Sequence, residues 1–66
     1  MKIKDRFKLA SKTDDVFVAE IVNINNFSEP SHKYLLDIYK NGEYFAEVFC
    51  SEEFFAQDGV DKEESN

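Results

Sequence analysis

The sequence holds one cysteine, one proline, two glycines, one histidine and no tryptophan among its 66 residues. A single cysteine closes no intramolecular disulfide, and small secreted domains usually depend on several, so the expected compartment is the reducing cytoplasm. Zinc sites draw on four ligands in recognisable pairs, and Cys50 with His32 supplies two at most. Gly42 and Gly59 stand alone, which excludes a glycine-rich phosphate loop. No apolar run approaches the roughly 18 residues of a membrane span, and Met1–Lys12 lacks the apolar stretch of a signal peptide. Ser31 and His32 are neighbours, but nucleophilic catalysis also needs an orienting group and an oxyanion site. No catalytic residue, metal or cofactor is therefore assigned.

What the chain does have is aromatic residues, at 15% of the total, and these separate it from disordered chains. A chain of this length forms one small domain and buries only about 60% of its unfolded surface. The expected domain is 1–58, followed by a flexible acidic tail, 59–66. The net charge of −6 is divided unevenly. Met1–Lys12 carries five basic residues and one acid, or +4, leaving three basic and thirteen acidic residues, or −10, for Thr13–Asn66.

Ile3, Phe7 and Leu9 alternate with Lys2, Lys4, Arg6 and Lys8, the period-2 pattern of a half-buried strand. Ser11–Asp15 is a polar connector. Val16–Ile24 is β-branched and apolar, but its apolar residues change parity after Ile21. Either both faces of this strand are covered, or a bulge near Glu20–Ile21 shifts the phase. Asn25–His32 is a loop rich in turn-forming residues.

Asn41-Gly42 then joins two β-rich runs, the strongest short-range signal of a hairpin. A two-residue turn sets Lys40 opposite Glu43, Tyr39 opposite Tyr44 and Ile38 opposite Phe45, continuing out to Tyr34 opposite Phe49. One face is then Tyr34, Leu36, Ile38, Phe45 and Phe49, with Lys40, Glu43 and Glu47. The other is Leu35, Tyr39, Tyr44, Ala46 and Val48, with Asp37 its only charge. The rival reading makes Ser28–Asn41 a helix capped by Ser28 and ended by Gly42. Ser51–Gly59 reads as a short helix capped by Ser51, with Phe54 and Phe55 anchoring it to the sheet. The fold expected is mainly β: a four-stranded antiparallel meander, able to close into a small SH3-like barrel, with a short C-terminal helix.

A hairpin apolar on both faces needs two covers. The expected core is Phe7, Ile21, Tyr34, Leu36, Ile38, Phe45, Phe49 and Phe54. Leu35, Tyr39, Tyr44 and Val48 remain as a contact patch, since tyrosine is favoured where one end of a side chain stays wet. The leading expectation is a non-enzymatic acidic protein that occludes or modulates another macromolecule, a decoy for nucleic acid in a basic groove. Asp37, Tyr39, Glu43, Tyr44 and Glu47 make the contact. The alternatives are a nucleic-acid module contacting phosphates through Lys2, Lys4, Arg6 and Lys8, an accessory subunit of a larger assembly, and a homodimer. The acidic, Lys/Asn/Phe-rich composition resembles that of small proteins of phages and mobile elements in low-GC bacteria.

Overall fold

A computed structural model of the chain describes residues 1–63. Five antiparallel strands form one sheet: β1 (Arg6–Leu9), β2 (Phe17–Ile24), β3 (Tyr34–Lys40), β4 (Glu43–Cys50) and β5 (Val60–Lys62). Their order across the sheet is β4-β3-β2-β1-β5. The mainly β, antiparallel architecture is the one expected, with five strands in place of four. Among the described residues no helix is long and apolar enough to cross a membrane.

Asn41 and Gly42 take φ of 53° and 87°, the positive values that a two-residue hairpin turn demands. Tyr34–Lys40 is therefore a strand, and the helical alternative for Ser28–Asn41 is excluded. The turn also docks at long range. Val16 N–H donates to Asn41 Oδ1 (2.8 Å), Asn41 N–H donates to the Val16 carbonyl (2.7 Å), and Asn41 Nδ2 donates to Asp15 Oδ1 (3.0 Å). The Asn41 amide, with the Thr13 hydroxyl after it, holds the Asp15 carboxyl below the usual carboxylate range.

Two bulges decide which side chains meet. In β2, Ile21 pairs with Leu36 and Asn23 with Leu35, so Val22 is the extra residue, close to the position expected. The second was not expected. In β4, Tyr44 pairs with Tyr39, but Ala46, rather than Phe45, pairs with Ile38. Every later residue of β4 slips by one, which turns its side chain to the opposite face. Ala46, Val48 and Cys50 now stand opposite Ile38, Leu36 and Tyr34, while Glu47 and Phe49 stand opposite Asp37 and Leu35. Phe45 and Phe49, expected in the core, are 58% and 57% exposed.

Size matching explains the slip. The line Phe7–Ala19–Ile38–Ala46 across four strands alternates large and small, so neighbouring side chains interdigitate without strain. Phe45 opposite Ile38 would break that order. It instead lies against Phe17, with ring centroids 5.8 Å apart.

Phe7, Ala19, Ile21, Tyr34, Leu36 and Ile38 form the buried core on one face of the sheet. The connection from β4 to β5 covers it. Its middle is a 3₁₀ helix, Glu52–Ala56, and not the capped helix expected over Ser51–Gly59: Ser51 makes no side-chain cap bond. Five residues form too few backbone bonds to offset helix nucleation. Phe55 packs against Phe7 with the rings tilted, centroids 4.6 Å apart, and meets Tyr34 edge-on at 5.1 Å. Tyr34 donates a long hydrogen bond to Glu52 (3.4 Å), and Lys33 lies 3.6 Å from the same carboxylate. Val60–Lys62, expected as part of the acidic tail, is β5 alongside β1; residues 64–66 lie outside the described residues.

Candidate functional site

The face of the sheet opposite the core carries the candidate site. Cross-strand pairing assembles it in rows. Arg6 (β1), Glu20 (β2), Asp37 (β3) and Glu47 (β4) stand side by side in successive strands. The next row is Lys8, Val18, Tyr39 and Tyr44, and on the other side lie Asn23, Leu35 and Phe49. Three carboxylates thus occupy adjacent strands, about 4.8 Å apart along the hydrogen-bonding direction. Arg6 Nε lies 3.7 Å from Glu20, and among the described residues Asp37 and Glu47 have no cation within ion-pair distance. Like charges directly opposite one another destabilise a sheet.

Aromatic rings frame the carboxylates. Tyr39 and Tyr44 meet edge to face at 6.2 Å, and the Arg6 guanidinium sits 5.8 Å from the Tyr39 ring. The Tyr44 phenol titrates above the ordinary tyrosine range, first because its surroundings desolvate the phenolate, then because the Glu47 and Asp37 carboxylates oppose it. At the far end the His32 ring packs against Phe49 at 5.0 Å, beside a shallow cleft of about 350 Å³ lined by Asn25, Ser28 and Leu35 among others.

Of the contact residues expected from the sequence, Asp37, Tyr39, Tyr44 and Glu47 are brought together. Glu43 is not. It stands opposite Lys40, in line with Phe17, on the core side of the sheet at its open end. Val48 also belongs to the core side, at 41% exposure, and Phe49 takes its place in the patch. The apolar set Phe45, Ala46, Val48 and Cys50 changes parity just as Val16–Ile24 does, a trace of the slip in the sequence.

The expected basic row is broken. β1 begins at Arg6, because Lys2–Asp5 is a turn in which Asp5 accepts from Lys2 N–H (2.9 Å) and Lys4 has φ of 77°. That Lys2 hydrogen bond, and secondarily Lys62, holds the Asp5 carboxyl below its usual range. Only Arg6 and Lys8 remain on the strand, and Arg6 faces Glu20.

In the loop, Ser31 Oγ lies 3.1 Å from His32 Nδ1, and Glu29 lies 3.9 Å from the same nitrogen. Both groups reach one ring nitrogen, so this is not a relay in which a base takes a proton on one nitrogen and is oriented through the other. Among the described residues no three His, Cys, Asp or Glu side chains cluster as metal ligands would. Burial pushes the half-buried Cys50 thiol up to about 11 from its ordinary 9.0. At pH 8 its thiolate is therefore scarcer by about a hundredfold. Iodoacetamide is expected to alkylate Cys50 about a hundredfold faster in the urea-unfolded chain than in the folded one, measured by mass spectrometry; similar rates would show the thiol to be freely ionising.

No protein-family model, no curated protein and no solved structure matches the chain.

Proposed function

We propose that the protein is a small non-enzymatic binding protein whose Glu20–Asp37–Glu47 face engages a basic surface on a protein partner and thereby occludes or modulates it. The carrying observation is that three carboxylates stand in adjacent strands with one guanidinium at the end of the row, and that guanidinium pairs with Glu20 alone. The isolated chain bears that repulsion; a lysine- or arginine-lined groove relieves it. Tyr39, Tyr44 and Phe49 supply the apolar and aromatic contacts that fix orientation, while the overall charge of −6 speeds the encounter. A row of this kind suits a groove that otherwise takes nucleic acid, which supports the inhibitor or decoy reading. The strand order, with β5 beside β1 after a 3₁₀ turn, supports an SH3-like architecture for this binding module. The half-buried, weakly ionised Cys50 agrees with a cytoplasmic setting.

The nucleic-acid alternative loses support with the basic row: two cations on a strand, one of them held by Glu20, give few phosphate contacts.

The double variant Asp37→Asn, Glu47→Gln tests the proposal with two readouts of opposite sign. Removing the like-charged pairs is expected to stabilise the free domain by roughly 0.5–1.5 kcal/mol in a urea titration at low salt. The same variant, immobilised beside the native chain in source-cell lysate, is expected to lose the salt-sensitive partners that the native chain retains. Equal retention by both would remove this face as the contact.

A further inference from the structure

Edge strands in natural sheets are kept short, or guarded with lysine, proline or a bulge, because their free N–H and C=O groups accept another strand. β5, at one edge, is three residues long. β4, at the other, is eight residues long, pairs among the described residues with β3 alone, and reads EYFAEVFC, with neither lysine nor proline. Its bulge protects the end near the turn. From Ala46 to Cys50 the pairing with β3 runs unbroken, so the outer edge of these five residues is regular as well. Val48 and Phe49 flank that edge on opposite faces, at 41% and 57% exposure.

We propose that the Ala46–Cys50 edge of β4 receives an extended segment of the partner protein as a sixth strand, with lysine or arginine beside Glu47 and apolar residues beside Val48 and Phe49. This rests on the binding reading above and names the form in which the partner's basic surface arrives. Charge selects the occupant. The Glu20–Asp37–Glu47 row ends at the β4 edge, and the next position in line belongs to the incoming strand. A second copy of the chain offers either another β4, with two glutamates and no cation, or the three-residue β5, whose Lys62 is paired with Asp5, on a molecule of net charge −6. A basic strand continues the row with the opposite sign, and its backbone takes up the free hydrogen-bonding groups.

The probe is a capped peptide of about seven residues, long enough for the edge, with lysine at the position beside Glu47 and at both ends, and valine elsewhere, including beside Val48 and Phe49. Two comparison peptides carry glutamate in place of lysine, or lysine with every backbone amide methylated. The unmethylated lysine peptide is expected to bind about tenfold or more tighter than either, the effect of losing the strand hydrogen bonds or the charge match. It should also slow amide hydrogen exchange within Ala46–Cys50. Equal binding of the methylated lysine peptide would overturn strand addition and leave the acidic face as a basic-protein site. Absence of binding by both lysine peptides at low salt would overturn it too, with the Asp37/Glu47 variant then deciding the face by itself. Light scattering that shows a dimer, with Ala46–Cys50 protected before any peptide is added, would overturn it in favour of a second copy.

Discussion

Gly59→Ala is expected to detach β5 from β1 and to destabilise the domain by about 2–4 kcal/mol, from backbone strain and overpacking together. Gly59 has φ of +87°, and an added Cβ would stand 2.8 Å from Ala10 Cβ. The clash falls where the strands join: Ala10 N–H donates to the Gly59 carbonyl at 2.7 Å. Beyond the ladder with β1, β5 is also held by the hydrogen bond from Glu63 N–H to the Arg6 carbonyl (2.8 Å) and the Lys62–Asp5 ion pair (3.5 Å). A domain of this length has a total stability of only about 3–10 kcal/mol, so the loss is a large fraction of it. Gly42→Ala is the control, because Gly42 has the same φ but nothing within 4 Å of the added carbon. It should cost only the strain, about 1–2 kcal/mol. Urea titrations of both variants, with hydrogen exchange at Val60–Glu63, separate the two effects. Equal losses would show that the contact with Ala10 yields without penalty.

Phe55→Ala is expected to remove the cover of the core. The Phe55 ring touches Phe7, Tyr34 and Phe54, with centroids 4.6, 5.1 and 5.4 Å away. Truncating a buried phenylalanine costs about 3–5 kcal/mol; Phe55 is half-buried, so about 2–4 kcal/mol is expected. Phe7 and Tyr34, both 3% exposed in the native chain, would then be open to water. Enhanced fluorescence of an apolar dye at low urea should accompany the loss. Phe27→Ala supplies the contrast, since Phe27 is fully exposed in its loop and should change neither quantity. A Phe55→Ala domain as stable as the native one would mean that the 3₁₀ segment is not what seals this face.

The elements legible from sequence were those whose geometry is settled within a few residues. Asn41-Gly42 supplies two adjacent positive φ values, and with them the chain reversal and the Lys40–Glu43 and Tyr39–Tyr44 pairs. The parity change in Val16–Ile24 left a choice between two covered faces and a bulge near Glu20–Ile21, and the bulge is found at Val22. The β4 bulge left the same kind of trace, but its position follows from Ala46 fitting beside Ile38, a partner named by cross-strand packing. That single slip moved Phe49 and Glu47 to the outer face and left Glu43 on the other side, changing the membership of the candidate site. The basic row failed for a similar reason. Alternation implied a strand through Lys2–Lys8, whereas Asp5 captures Lys2 N–H and closes a turn before the strand begins.

A mainly β chain with a central hairpin and an acidic balance could be read from the residues alone, because turn chemistry, strand propensity and charge act locally. Tertiary structure decided which apolar face is covered, where β4 slips, and that Val60–Lys62 forms a strand beside β1. Those outcomes depend on contacts between residues far apart in the chain, such as Ala10 with Gly59 and Phe7 with Phe55, whose fit is a matter of packing volume.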